Sequence, residues 1–280
     1  MKIAIASGKG GTGKSTIAAN LAHLLSQKKE GVALLDCDVE EPNCHLFLKP
    51  EIETSEKVFL EVPEINKEKC IACGKCKEIC NFNALALIKN NVLVFPELCH
   101  SCGGCWLVCP TGAIEIGKRE LGEIESGKSG NLTFIHGKSR IGEAMSPPLI
   151  KAVKKSSDAS LQILDCPPGT SCPVITAVDG ADFVILVTEP TPFGLYDLNL
   201  AVDVMKKLQK RMCIVINRSC ENDYLIENFA AEQEVEILTK LKDDRKIAEC
   251  YSRGELIVDV LPEYQEAFAP LVSICGGGQW

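Results

Sequence analysis

The sequence predicts an α/β protein built on a doubly wound parallel sheet and interrupted by a smaller inserted α+β unit. Three observations carry this expectation. A glycine-rich loop joins a short apolar strand to a helix over residues 3–16. Short apolar runs suited to buried parallel strands then alternate with helical patterns through most of the chain. Between Cys70 and Cys109 that alternation stops, and a four-cysteine run occurs twice. At 280 residues the chain suits one large domain with an insertion. The expected division is residues 1–60 and 119–280 for the main domain, with 61–118 inserted.

The loop Gly8-Lys9-Gly10-Gly11-Thr12-Gly13-Lys14-Ser15 completes the pattern G-x-x-x-x-G-K-[ST] and is followed by Thr16. Such a loop turns successive backbone N–H groups inward at a helix N-terminus, where the helix dipole favours phosphate. Lys14 is expected to reach the β- and γ-phosphates and Ser15 to take one position on Mg²⁺. Lys9 is a second lysine that phosphate cradling does not require. The following helix carries Ile17, Leu21, Leu24 and Leu25 at helical spacing. The apolar run Val32-Ala33-Leu34-Leu35 then ends in Asp36-Cys37-Asp38, at the sheet edge where open α/β folds bind ligands. A carboxylate there could contact Mg²⁺ or position water.

The run Cys70, Cys73, Cys76, Cys80 has the spacing C-x2-C-x2-C-x3-C and recurs 29 residues later as Cys99, Cys102, Cys105, Cys109. The repeat continues beyond the thiols, since Asn83-Ala84-Leu85 matches Gly112-Ala113-Ile114. This is the signature of a two-cluster ferredoxin unit, in which the fourth cysteine of each run serves the other cluster. Cluster one is then expected on Cys70, Cys73, Cys76 and Cys109, and cluster two on Cys99, Cys102, Cys105 and Cys80, both [4Fe-4S]. Zinc ribbons use C-x2-C pairs rather than repeated four-cysteine runs.

Residues 119–142 are expected to return as a hairpin, and Pro147-Pro148 to open a helix through Lys155. Further strands are expected at Leu161-Gln162-Ile163-Leu164, at residues 183–187 and at residues 213–216, with a helix over residues 196–208 between the last two. Residues 235–238 suggest one more strand. Leu161-Gln162-Ile163-Leu164 ends in Asp165-Cys166-Pro167-Pro168-Gly169-Thr170.

The P-loop with its extra lysine resembles the deviant Walker A motif of the MinD/ParA/Mrp ATPases and the nitrogenase iron protein. Asp36-x-Asp38 looks like their switch I, and the stretch Asp165–Thr170 like their Walker B and switch II. The resemblance covers nearly the full chain and implies an ATPase of low turnover that uses ATP and Mg²⁺. It implies that Lys9 reaches across a dimer interface to the partner's nucleotide, as an arginine finger does. It further implies that Asp38 positions the attacking water, that Asp165 holds Mg²⁺ through a water, and that Gly169 senses the γ-phosphate. Asn217 stands where relatives contact adenine, although Leu241-Lys242-Asp243 lacks the proline usual in their adenine-side loop. Cys172 stands where the nitrogenase iron protein has a ligand to a cluster bridging two subunits. Cys166, Cys37 or Cys44 could supply the second thiol that such a cluster needs, while Cys213, Cys220, Cys250 and Cys275 have no ligand spacing.

Three functions compete: a nucleotide-gated electron-transfer protein, an Mrp-type iron–sulfur cluster or metal carrier, and a MinD/ParA-like positioning switch. Expected partners are a second copy or a related ATPase in a dimer, and a redox partner or iron–sulfur acceptor. The net charge of −8 argues against a large nucleic-acid surface. The tail over residues 267–280 shows no basic amphipathic anchor. No apolar run approaches the roughly 20 residues of a membrane span, no signal peptide is evident, and sixteen cysteines fit a reducing compartment poorly as disulfides. A cytoplasmic location is expected.

Overall fold

The computed structural model describes residues 1–275; the expectation for the end of the tail, residues 276–280, lies outside the described residues. A nine-stranded sheet forms the body. Its parallel part consists of β1 (Lys2–Ala6), β2 (Val32–Asp36), β7 (Leu132–Ser139), β8 (Leu161–Asp165), β9 (Phe183–Thr188), β10 (Met212–Ser219) and β11 (Ile237–Lys242). The long strands β3 (Glu51–Ile65) and β6 (Ile114–Ser129) complete it, in the order β11-β10-β9-β1-β8-β2-β7-β6-β3. Strand β1 lies at the centre of the seven parallel strands, between β8 and β9, so the loop that follows it emerges from the middle of the parallel sheet's carboxyl edge.

Strand alternation divides the core into two apolar layers. Ile3 and Ile5 of β1 face the layer closed by α1 (Lys14–Lys28), α2 (Cys44–Leu48) and α11 (Gln265–Cys275), together with residues of α9 (Arg245–Ser252) and α10 (Ile257–Val260). Ala4 and Ala6 face the opposite layer, closed by α5 (Pro147–Lys155), α6 (Cys172–Val178), α7 (Pro192–Lys207) and α8 (Tyr224–Gln233). Helices thus cover both faces, which is why the parallel strands read as continuous apolar runs. Two expected elements shift. Helix α7 starts at Pro192 rather than Tyr196, because Thr191 caps it by accepting the Gly194 N–H and proline suits the first helical position. Strand β11 starts at Ile237 rather than Val235, because α8 ends in left-handed Glu234.

The antiparallel side carries the cysteine-rich segment. Strands β3 and β6 pair from Glu51–Lys128 to Ile65–Ile114, with a bulge at Val58/Phe59. The ladder passes positions 61 and 118 without a break. Residues 66–113 cap its end with α3 (Lys75–Ile79), the hairpin of β4 (Leu85–Ile88) and β5 (Asn91–Val94), and α4 (Gly104–Val108). Strands β6 and β7 form the expected hairpin back to the body. Among the described residues no helix is long and apolar enough to cross a membrane.

Candidate functional site

The loop after β1 is shaped by close backbone approach. A Cβ at Gly8 would meet the Asp197 carbonyl oxygen at 2.0 Å, and one at Gly13 (φ +96°) would meet Asn217 Nδ2 at 2.3 Å. Only glycine fits either place. Asn217 Nδ2 donates to the Thr12 carbonyl at 2.8 Å, pinning the loop to β10. Helix α1 then begins at Lys14 with neither a side-chain cap nor an acidic residue in its first turn, so its leading N–H groups remain available to an anion. The Gly169 N–H donates to the Ser7 carbonyl at 3.0 Å and ties the segment after β8 to the loop.

Opposite the loop stand three carboxylates. Asp36 and Asp165 are register partners at the ends of β2 and β8, and both are fully buried. Asp36 accepts backbone N–H groups from Asp38 (3.1 Å), Asn43 (3.0 Å) and Cys44 (3.0 Å), and so folds the 37–44 loop around itself. The Cys44 thiol donates to Asp165 Oδ2 at 3.2 Å; burial and the Asp165 charge push its pKa up, which keeps the proton on sulfur. Burial, with Asp165 adding, raises Asp36 well above the usual carboxylate range. Burial raises Asp165 too, against a hydrogen bond from Ser15 and the charge of Lys14. Asp38 is driven to about 7, by burial first and then by Asp165, with Lys14 opposing.

Asp165 Oδ1 is buried without a partner. An orphaned carboxylate oxygen beside Ser15, among acids that repel one another, is what a divalent cation would satisfy. Among the described residues, Asp36, Cys44 and Asp165 are the trio of potential metal donors that come within 4.8 Å of one another. The cleft between loop and carboxylates encloses about 370 Å³. Gly10, Gly11, Gly13, Lys14, Ser15 and Thr16 form one wall and Asp38 another. Asn217 and Arg218 line the remaining side with Lys242, Asp243 and Tyr251, so the loop lacking the usual proline still borders the cleft.

Four features escaped the sequence reading. Lys9 forms an ion pair with Glu189, and Arg218 Nη1 reaches the same carboxylate at 2.8 Å. Glu189 is 8% exposed; despite burial, which favours the neutral acid, Lys9 and Arg218 hold it below the usual range. Its signal was an acid at the carboxyl end of an apolar strand. Arg218 and Tyr251 in the cleft wall, and Asp36 as organiser of its loop, followed from no motif.

A family profile for the CobQ/CobB/MinD/ParA nucleotide binding domain matches residues 3–257. The chain belongs to this family. Within the family, an uncharacterised protein of Methanocaldococcus jannaschii is 35% identical over 260 residues, covering 91% of this chain and 90% of its own. A protein of Pyrococcus abyssi named iron-sulfur cluster carrier protein is 28% identical over 272 residues, covering 92% and 79%. The septum site-determining protein MinD of Pyrococcus horikoshii, solved with Mg-ADP, superposes with a TM-score of 0.61 at 22% identity, covering 98% and 94%. The P-loop ATPase fold of the family is therefore that of the body.

The eight repeat cysteines fall into two groups. One cavity is lined by Cys70, Cys73, Cys76 and Cys109, and a second by Cys80, Cys99, Cys102 and Cys105. The last cysteine of each run has crossed to the other group. The sequence repeat is also a backbone repeat: left-handed residues recur 29 positions apart at Ala72/Ser101, Gly74/Gly103 and Asn83/Gly112. These turns aim N–H groups at sulfur, as in Ser101 N–H to Cys99 Sγ (3.4 Å) and Ala113 N–H to Cys109 Sγ (3.2 Å). Cys172 is exposed at the start of α6, whereas its three proposed companions, Cys37, Cys44 and Cys166, are fully buried. They are not presented at the surface where a bridging cluster would form.

Proposed function

We propose that this chain is a dimeric, ATP-hydrolysing iron–sulfur protein in which nucleotide binding gates electron transfer through two [4Fe-4S] clusters. The observation that carries this reading is the sorting of eight thiols into two four-cysteine cavities on the same chain as the P-loop cleft. Zinc ribbons use C-x2-C pairs, whereas two four-cysteine runs that exchange their last thiol favour cubanes. The clusters would supply one-electron chemistry. Cys70, Cys73, Cys76 and Cys109 would hold one; Cys99, Cys102, Cys105 and Cys80 would hold the other.

On the nucleotide side, the 8–16 loop would bind the phosphates, with Lys14 against their charge and Ser15 on Mg²⁺. Asp165 would face the ion through water, and Asp38 would orient the attacking water. Gly169, tied to Ser7, would move when a γ-phosphate arrives. Lys9, released from Glu189, would reach the partner's nucleotide across the dimer. Asn217 would flank the base.

The Pyrococcus abyssi relative named iron-sulfur cluster carrier protein supports a second reading, a cluster carrier. Iron and acid-labile sulfide analysis with EPR, on anaerobically purified protein with and without ATP, tests both. Two stable clusters that survive Cys172→Ala, and of which one is lost in Cys76→Ala, are expected for electron transfer. A cluster released to an apo-acceptor on ATP turnover, and dependent on Cys172, would overturn it in favour of the carrier.

A further inference from the structure

Each cysteine group presents one exposed thiol, Cys73 in one and Cys102 in the other, so position along the ladder and charge are what distinguish the two. The cavity of Cys70, Cys73, Cys76 and Cys109 abuts Ile65 and Ile114, the last rung of the β3–β6 ladder. The cavity of Cys80, Cys99, Cys102 and Cys105 abuts Pro63, one step nearer the body. The turn preceding Cys99 is also tied to the body: the Glu97 carbonyl accepts from Arg119 Nη1 (3.2 Å), and Arg119 pairs with Glu143. The first cavity is therefore distal and the second proximal.

Charge follows the same axis. Residues 66–113 hold five lysines and three glutamates, a surplus of two positive charges, so the rest of the chain carries −10 of the net −8. Four of those lysines, Lys67, Lys69, Lys75 and Lys77, fall within residues 66–80, which supply three of the four distal thiols, and all four are exposed; Glu68 and Glu78 share the stretch, Lys75 lines the cavity, and Lys69 pairs with Glu115. Residues 94–110, which supply three of the four thiols of the proximal cavity, contain no lysine or arginine. Beside the distal thiols Ile71 is 64% exposed, and Cys73 is exposed as well.

We infer that the distal end, centred on Ile71 and Cys73, with Lys75 beside them and Lys67 and Lys77 exposed on the same segment, is the docking port for a small acidic one-electron carrier protein. This rests on the two-cluster reading above. The port offers an apolar contact next to a thiol-lined cavity, on a segment with a positive surplus in an otherwise acidic molecule. A negatively charged carrier is repelled by the body and drawn to the tip, so the field orients it before contact. A carrier arriving elsewhere would face like charge and a longer path. The step moves one electron from the reduced carrier to the distal group; the carrier is oxidised, the group is reduced, and no bond forms or breaks.

The test compares the wild type with Lys67→Glu/Lys77→Glu and with a control, Lys151→Glu/Lys155→Glu, which changes net charge equally on exposed lysines of α5. The probe is a purified acidic ferredoxin. Its binding is read by calorimetry in the oxidised state, and cluster reduction by stopped-flow absorbance with the ferredoxin chemically pre-reduced. At low ionic strength the tip variant should bind and be reduced about tenfold or more weakly and slowly than wild type. The gap should close at high salt, where the Debye length falls to about 3 Å. Reduction by dithionite should be the same in all three proteins. Equal losses in tip and control variants, or none in the tip variant, would overturn the port while leaving the clusters intact. A wild type without iron or sulfide would overturn the cluster reading itself, and the port with it.

Discussion

Asp38→Asn should stabilise the nucleotide-free protein, and by more at high pH than at low. In the fold, burial and the neighbouring Asp165 move the Asp38 carboxyl from an ordinary 3.8 to about 7. The folded protein therefore binds a proton that the unfolded chain has released, between about pH 4 and pH 7, and stability falls as pH rises through that window. Above it the full penalty is present. Three units at 1.36 kcal/mol each bound the effect at about 4 kcal/mol, and solvent access to a half-buried carboxylate reduces the expectation to about 2 kcal/mol. Asparagine keeps the shape and removes the charge. For a chain of this size that corresponds to a rise in Tm of about 5 °C near pH 8 and less than half of it near pH 5. Differential scanning calorimetry on Mg²⁺-stripped protein reads it directly. The gain should shrink when Mg-ADP is added, because the cation then offsets the repulsion that asparagine relieves. A gain independent of pH, or a loss at pH 8, would show that Asp38 is not under electrostatic load.

Further outcomes follow from other contacts. Glu189→Gln removes the anion that holds Lys9 and Arg218; the variant should dimerise at severalfold lower ATP concentration, measured by light scattering, with nucleotide affinity changed less. Gly13→Ala places a methyl 2.3 Å from Asn217 Nδ2 at a left-handed position, and should abolish nucleotide binding in equilibrium dialysis while the fold, by circular dichroism, survives. Glu143→Gln leaves the buried Arg119 charge without its ion-pair partner and should lower stability by about 3 kcal/mol, with the turn before Cys99 losing hydrogen-exchange protection first.

The parallel strands and the P-loop were legible because each is encoded locally: apolar runs for strands buried on both faces, and glycines where backbone approach forbids a Cβ. The cysteine groups were legible because spacing fixes which thiols share a cavity. Strand β3 was not. Residues 51–57 are all exposed and include Glu51, Glu53, Glu56 and Lys57, so no period marks a buried face; the strand exists by pairing with β6. The roles of Glu189 and Asp36 were equally hidden. Glu189 acts on Lys9 from 180 residues away, and Asp36 works through backbone N–H groups that any residue could supply.

The same hidden contacts decide how the two halves of the chain could communicate. Beyond the two strands β3 and β6, the proximal cavity is joined to the body through Arg119, which binds the Glu97 carbonyl ahead of Cys99 and pairs with Glu143. Glu143 precedes α5, and α5 holds α6 through Lys154, whose Nζ donates to the Thr176 and Asp179 carbonyls. Helix α6 follows Gly169, the residue tied to the P-loop at Ser7. A displacement at Gly169 therefore has a contiguous route, through chain, hydrogen bonds and one ion pair, to the backbone that carries Cys99. Buried ion pairs contribute little net stability, but they fix one arrangement over others. If the proposed two-cluster reading holds, a pair at this junction would make the proximal group, rather than the distal one, the place where nucleotide state is felt. Docking at one end of the segment and gating at the other then need not interfere.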